Sequence, residues 1–126
     1  MLSPLILLLA AARLQAAPQT DFVNWESPHV HPLELTSDGE LLLAVNSADQ
    51  RLEVFALESG TPVALASIPV GLDPVSVRAR TAREAWVVNH VSDSVSVVDL
   101  ATQHVVATLA TEDEPADVVF AGEPMR

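Results

Sequence analysis

Two stretches of the sequence decide the fold, Trp86-Val87-Val88-Asn89 and Val95-Ser96-Val97-Val98-Asp99-Leu100. Both are typical of short strands, because β-branched valine is frequent and apolar residues either alternate with small polar ones or run continuously. Earlier in the chain, Leu43-Ala44-Val45-Asn46 and Leu52-Glu53-Val54-Phe55-Ala56-Leu57 show the same pattern, and the two copies align without a gap. The chain therefore carries an internal repeat of roughly 42 residues.

Proline marks the start of successive repeat units, at Pro32, Pro74 and Pro115. Each of the first two units has four apolar segments separated by turn residues, which predicts four short antiparallel strands. The predicted strands are 33–36, 41–46, 52–57 and 63–70 in the first unit, and 75–79, 85–89, 95–100 and 104–110 in the second. Four-stranded units of this length are the signature of propeller blades.

We therefore expect an all-β fold, an incomplete β-propeller of about two four-stranded antiparallel blades plus the first strand of a third. The predicted organisation is a signal peptide over 1–16, a lead-in segment over 17–31, blades over 32–73 and 74–114, and the truncated start of a third blade over 115–126. A propeller closes into a ring, typically with at least four blades, and raw sheet edges promote aggregation. We expect that the protein continues beyond Arg126 or that several chains associate to close a ring.

The repeat resembles the YVTN-type β-propeller family of bacteria and archaea. The resemblance rests on Leu43–Asn46 and Trp86–Asn89 in the place of the family's eponymous motif, on Val95–Leu100, and on the blade-closing Ile68-Pro69-Val70-Gly71-Leu72-Asp73-Pro74. It implies an exported propeller, in a family with binding, surface-layer and enzyme-associated members. The first unit is a looser copy, because it lacks both the motif's aromatic residue and its Asp.

The N-terminus is typical of a secretory signal. Leu5 to Ala12 form an unbroken apolar run, and small residues follow that offer cleavage after Ala16. Such a run is too short to span a bilayer, which takes about 20 residues. The segment before the run carries no Lys or Arg, so a buried N-terminal helix is the alternative. We expect export to the periplasm or the extracellular space and no stable membrane span.

Composition excludes several classes of function. The 126 residues carry a formal net charge of −11, and all six cations are Arg. A nucleic-acid partner requires a basic surface, so none is expected, whereas a cationic partner is compatible with this charge. With no Cys, the chain has no thiolate metal site, no iron–sulfur cluster and no disulfide. No cofactor is expected.

Alternation of strand direction places the loops after the second and fourth strands of each blade on one face of the propeller. That face collects acidic and imidazole side chains, and we predict it as the ligand face. Its candidate residues are His31, Asn46, Asp49, Asp73, Asn89, His90 and Asp93. The structural alternative is that the Asn side chains close turns with their own loops and that Asp73 initiates a turn before Pro74.

A metal site is a further hypothesis for the lead-in segment. His29 and His31 share one side of an extended strand-like segment, and imidazole suits Zn, Cu, Fe or Ni. A metal site requires three or four convergent ligands, and only two are in register, so exposed histidines are the alternative.

The sequence shows no nucleophile motif and no Gly-rich phosphate loop, so no catalytic residue is assigned and the chain is not expected to be an enzyme. The leading hypothesis is a non-catalytic exported propeller module that binds or scaffolds a protein or small ligand. The alternative is the propeller part of a larger exported redox or hydrolytic enzyme whose chemistry lies elsewhere. A structural surface-layer component is the third possibility.

Overall fold

The computed structural model describes residues 27–122 and contains two four-stranded antiparallel sheets. The first has the order β1-β2-β3-β4, formed by Leu33–Leu35, Leu41–Asn46, Arg51–Ala56 and Val63–Pro69. The second has the order β5-β6-β7-β8, formed by Pro74–Ala79, Glu84–Asn89, Ser94–Asp99 and His104–Ala110. A short 3-10 turn, Glu58–Gly60, connects β3 to β4. The all-β prediction of four-stranded antiparallel blades is thus confirmed, and the two sheets are consistent with blades of an incomplete propeller.

The strand bounds differ from the predicted ones by a single residue or not at all. The second strand of the first sheet and the last strand of the second sheet match their predictions. The third strand of each sheet begins one residue earlier, because Arg51 pairs with Asn46 and Ser94 pairs with Asn89 across the hairpins. Pairing with the neighbouring strand determines where these strands begin. Because the first paired residues are polar, the apolar pattern of the sequence does not reveal this pairing.

The turns between the first and second strands of the two sheets use different chemistry. In the first sheet Gly39 has φ +73°, and the Asp38 carboxylate accepts hydrogen bonds from the Thr36 hydroxyl and the Glu40 amide. In the second sheet the Thr81 hydroxyl accepts the amides of Arg83 and Glu84, at 3.1 Å each. A side chain that caps local amides replaces the glycine-dependent turn, so the hairpin forms without an Asp-Gly pair.

Left-handed backbone recurs at corresponding loop positions of the two sheets. In the second-to-third-strand loops it falls on Gln50 (φ 58°) and Asp93 (φ 47°). Asp73 (φ 54°) and Glu114 (φ 49°) precede the prolines that start the next units, and Ser59 and Gln103 lie in the third-to-fourth-strand loops. Glycine fills none of these six positions, although the left-handed region disfavours other residues.

The two sheets pack face to face and share one hydrophobic core. Leu43, Leu52, Val54 and Ile68 come from the first sheet, and Val77, Ala85, Val87, Val98 and Leu100 come from the second sheet and its adjoining loop. The first strand of the second sheet contacts the first two strands of its neighbour. A parallel bridge between His31 and Ser76, with the Val77 amide bonded to the His31 carbonyl at 2.9 Å, ties the lead-in segment to the neighbouring sheet.

Residues 115–122 lie against the second sheet, where the first strand of a third blade is predicted. Val118 packs with Trp86 against a second, smaller cluster of buried valines, and the rings of Trp86 and Phe120 meet edge to face at 5.2 Å. This segment joins no strand ladder within residues 27–122. In each blade the first strand pairs with the second strand of the same unit. Residues 115–122 are instead held by side-chain contacts with the preceding blade.

The predicted signal peptide and the first ten residues of the lead-in segment lie outside residues 27–122. Within those residues, no helix is long and apolar enough to cross a membrane.

Candidate functional site

One charged side chain lies between apolar neighbours near the start of each repeat unit. These residues are Glu34 on β1, Arg78 on β5, and Asp117 in the segment that starts the third unit. Glu34 pairs with Leu43 and Arg78 with Trp86, so the first two occupy equivalent places in their sheets. β1 contacts β5, and residues 115–122 lie against the second sheet, so the three charges come close together.

Arg78 is the centre of this group. Its Nε donates to Asp117 Oδ1 at 3.0 Å and its Nη2 donates to Asp117 Oδ2 at 2.5 Å, which is a bidentate ion pair. Its Nη1 lies 3.9 Å from Glu34 Oε2. The Ser76 hydroxyl also donates to Asp117 Oδ1. We call Glu34, Ser76, Arg78 and Asp117 the first-strand network.

The ion pair shifts the pKa values of both partners. The hydrogen bonds from Arg78, and then the one from Ser76, hold the pKa of Asp117 well below the ordinary value of 3.8, against an opposing effect of burial. The same Asp117 carboxylate raises the pKa of Arg78. Both side chains are about 70% shielded from solvent, at 30% and 27% relative exposure. The pair therefore stays charged and fixed, which preorganises the surface around it.

Glu34 has a different environment from Asp117. Its Oε2 lies 3.0 Å from His31 Nε2, and its Oε1 accepts the Leu35 amide at 3.2 Å. Each carboxylate oxygen can accept about two hydrogen bonds. Glu34 therefore retains acceptor capacity toward a ligand, while Asp117 is committed to Arg78 and Ser76.

A cavity of 240 Å³ lies beside the network, and we call it the first-strand pocket. Its lining residues are Glu34, Arg78, Ala79, Val118, Val119 and Phe120. The floor combines a carboxylate and a guanidinium, and the wall is apolar. Arg78 and Ala79 end their strand next to the 80–83 turn. The pocket therefore lies toward the first turns of the blades, at the end opposite the predicted ligand face.

Of the predicted ligand-face residues, Asn46 and Asn89 are the last residues of β2 and β6, and the other five lie outside the strands. The Asn46 amide donates to Asp49 and to Glu53, at 3.2 Å each, while its oxygen accepts the Asp49 amide. Asn89 is fully buried and donates to the hydroxyls of Ser94 and Ser96. The contact of the Asn46 oxygen with the Asp49 amide lies within the following loop, whereas both serine partners of Asn89 lie on β7.

The acidic members of that face also bond to backbone. Asp73 Oδ2 accepts the Ser27 amide at 3.3 Å, and its Oδ1 is buried with no hydrogen-bond partner among residues 27–122. Asp93 Oδ1 accepts the Glu114 amide at 2.9 Å. A ligand role for these seven residues stays a prediction.

The residue after the motif Asn connects each blade to the next. The Ser47 hydroxyl donates to the Pro74 carbonyl at 2.6 Å, and His90 Nδ1 lies 3.1 Å from the Pro115 carbonyl. A carbonyl only accepts, so this contact places the proton of His90 on Nδ1. Ser47 and His90 hold equivalent positions, and each joins its loop to the proline that opens the next unit.

The two histidines of the metal hypothesis have different partners. His29 Nε2 lies 2.8 Å from the Ser47 hydroxyl, and His31 Nε2 contacts Glu34. Across residues 27–122 there is no group of three or more His, Asp or Glu side chains that could hold a metal ion. Metal binding by His29 and His31 stays a prediction.

The first-strand network was missed at the level of sequence. A signal for it exists, because Glu34, Arg78 and Asp117 each interrupt an apolar strand pattern close to the proline that starts the unit. A charge repeated at the inner strand, with sign alternating from one unit to the next, indicates contacts between units.

Two packed four-stranded sheets with repeated contacts between units define this chain as propeller blades. A solved structure of hydrazine synthase from Kuenenia stuttgartiensis, a propeller-containing protein, superimposes on it with a TM-score of 0.63. The match has 19% sequence identity and covers 81% of this chain and 28% of that one, so the chain spans less than a third of the structure it resembles. At this identity the likeness shows the fold alone. No family model and no curated protein matches the sequence.

Proposed function

We propose that the chain is a non-catalytic module of an exported, YVTN-type β-propeller and that it binds a protein partner at the first-strand pocket. The single observation that carries this proposal is that three consecutive units build one preorganised cavity, with charges at its floor and apolar side chains at its wall. Sites of this kind, mostly apolar with a few placed polar groups, are typical of binding surfaces.

The rigid setting of the pocket supports a binding role. The bidentate Arg78–Asp117 pair joins the second unit to the third, and the edge-to-face packing of Trp86 on Phe120 fixes the apolar wall. The Arg80 guanidinium lies 6.0 Å from the centroid of the Phe120 ring, which adds a cation–π contact. A wall that is already ordered costs little conformational entropy when a partner binds.

A peptide array tests this proposal with the 126-residue chain. Peptides of basic, acidic and apolar composition are displayed on the array, and the affinity of the chain for each bound peptide is then measured in solution. We expect saturable binding of a subset, and Val119→Trp should weaken it about tenfold, because Val119 is 79% exposed and a larger side chain fills the pocket.

Val106→Trp is the matched control, since Val106 is 61% exposed on the last strand of the second sheet, away from the pocket. Binding should survive this change. Absence of saturable binding by every peptide, or equal loss in both variants, contradicts the proposal.

Export is the second part of the proposal, supported by the apolar run and the small residues before Ala17. Expression in a bacterial host should yield a periplasmic or secreted chain that begins near Ala17, as measured by N-terminal sequencing of each cell fraction. A cytoplasmic chain that retains Met1 contradicts export.

A second candidate function is the propeller part of a larger exported redox or hydrolytic enzyme. The observation that favours it is the structural match to part of hydrazine synthase, of which this chain covers 28%. The coding sequence after Arg126 tests it. A Cys-x-x-Cys-His haem-attachment motif there supports the redox candidate, whereas further repeats alone support the binding module.

A further inference from the structure

The charge of the first-strand pocket favours a cation. At neutral pH the network contains two carboxylates and one guanidinium, so it carries a net negative charge. Asp117 is neutralised by two hydrogen bonds from Arg78, but Glu34 lies 3.9 Å from the nearest guanidinium nitrogen, beyond hydrogen-bond distance. Arg78 therefore compensates Glu34, its longer ion-pair partner, less than it compensates Asp117, and Glu34 is the more strongly negative of the two carboxylates at the pocket floor.

The shape of Glu34's environment distinguishes between two basic side chains. Both of its oxygens already contact a donor, the His31 ring and the Leu35 amide. A guanidinium binds a carboxylate best through two parallel bonds to both oxygens, and each Glu34 oxygen has already used one of its two acceptor sites. A compact ammonium needs only one free lone pair, so lysine fits this carboxylate better than arginine.

The apolar wall and the volume fit the rest of a lysine side chain. Ala79, Val118, Val119 and Phe120 provide a surface along which four methylene groups can lie. The volume of 240 Å³ is smaller than the lower end of small-molecule sites, about 300 Å³, so a single side chain fits better than a whole cofactor. The chain's net charge of −11 favours a basic partner over an acidic one.

We propose, resting on the binding function proposed above, that the first-strand pocket accepts one lysine side chain of a partner protein. The ammonium group binds Glu34, and the methylene groups pack against Val118, Val119 and Phe120. Arg78 does not contact the ligand but holds Asp117, and with it the start of the third unit, in position.

The test is an NMR titration of the ¹⁵N-labelled 126-residue chain with Nα-acetyl-lysine methylamide. We expect saturable shifts at the amides of Ala79 and 118–120. The norleucine analogue, which lacks the ammonium group, should bind at least about tenfold more weakly, and the arginine analogue about threefold more weakly.

Two variants separate the pocket from general electrostatic attraction. Glu34→Gln should weaken lysine binding about tenfold, whereas Glu112→Gln, an exposed carboxylate on a loop, should leave it unchanged. Val119→Lys changes a highly exposed side chain and should abolish binding by repulsion, even if Glu34→Gln disturbs the fold. Far-UV circular dichroism checks the fold of each variant.

Three results overturn the inference. They are equal binding of the norleucine and lysine compounds, wild-type binding by both Glu34→Gln and Val119→Lys, and pocket shifts produced by acetate instead of an amine. If peptides bind on the array with affinities that do not depend on their lysine content, the lysine inference is overturned, but the proposed binding function is not. If no array peptide binds at all, the binding function fails by itself.

Discussion

The two blades have the same strand order but differ in how deeply they are buried. β1 is exposed on either side of Glu34, whereas the equivalent strand β5 is buried over its first four residues. Two of the six residues of β3 are buried, against five of six in the equivalent strand β7. The second blade packs between the first blade and residues 115–122, and the first blade has a neighbour on one face within residues 27–122. Neighbours, more than the repeat sequence itself, decide how deeply a strand is buried.

The largest expected effect concerns the core that the blades share. Leu52→Ala removes a fully buried side chain from the first blade and should cost about 2–5 kcal/mol. Because both blades line this core, the second blade should unfold in the same transition. The chain has two tryptophans, so Trp25→Phe leaves Trp86 as the fluorescent reporter of the second blade. Urea unfolding in this background is followed by Trp86 fluorescence for the second blade and by circular dichroism for the whole chain.

Leu65→Ala is the control, because Leu65 is 49% exposed on β4 and should change stability by less than about 0.5 kcal/mol. Separate fluorescence and dichroism transitions in Leu52→Ala would show that the blades unfold independently.

The next effect compares the two motif asparagines. Asn89→Ala removes a fully buried amide that bonds two serine hydroxyls, and should lower the free energy of unfolding by about 2 kcal/mol. Asn46→Ala removes contacts that are largely exposed, and should cost under about 1 kcal/mol. If urea unfolding shows the same loss of unfolding free energy for Asn89→Ala and Asn46→Ala, depth of burial does not explain a difference in stability between the two blades.

A smaller effect depends on pH and on the contact between the second blade and residues 115–122. The unfolded chain protonates Asp117 near its ordinary pKa of 3.8, whereas the folded pKa is lower. The ion pair therefore stabilises the fold above about pH 4, and this contribution is lost as the pH falls toward the folded value.

Asp117→Asn should cost about 1 kcal/mol at pH 7, and its disadvantage should shrink between pH 4 and pH 2. Asp113→Asn, on an exposed loop, controls for the loss of one negative charge. Thermal unfolding across this range measures both, and a constant difference between wild type and Asp117→Asn would refute the assignment.

The smallest expected effect compares the two turns between first and second strands. Gly39→Ala forces a side chain into a left-handed conformation and should cost about 1 kcal/mol. Thr81→Ala leaves two exposed amides to water and should cost about 0.5 kcal/mol. If thermal unfolding shows a larger loss of stability for Thr81→Ala than for Gly39→Ala, the Thr81 side-chain cap stabilises its turn more than the left-handed glycine stabilises the other.

The sequence predicted the strands well because their signal is local. Alternation in Val95-Ser96-Val97 and the proline at each unit start need no knowledge of distant residues. The turn role of Asn46 was also accessible, since its partners lie three and seven positions away.

The candidate site could not be predicted in the same way, because it depends on contacts between units. Arg78 meets Asp117 39 positions later, and His90 meets the Pro115 carbonyl 25 positions later. Such pairs follow from how far one blade is rotated and shifted against the next. That geometry is set by the packing of the shared core and not by any single stretch of sequence.

The six left-handed loop residues have a consequence for engineering and for the history of the repeat. Backbone shape is kept at corresponding loops of the two blades while the side chains differ, as at Gln50 and Asp93. The loop conformations have thus diverged less than the residues that occupy them. Glycine or asparagine at Gln50, Gln103 and Glu114 would relieve the local strain, so these positions hold a reserve of stability that lies outside both the hydrophobic core and the binding pocket.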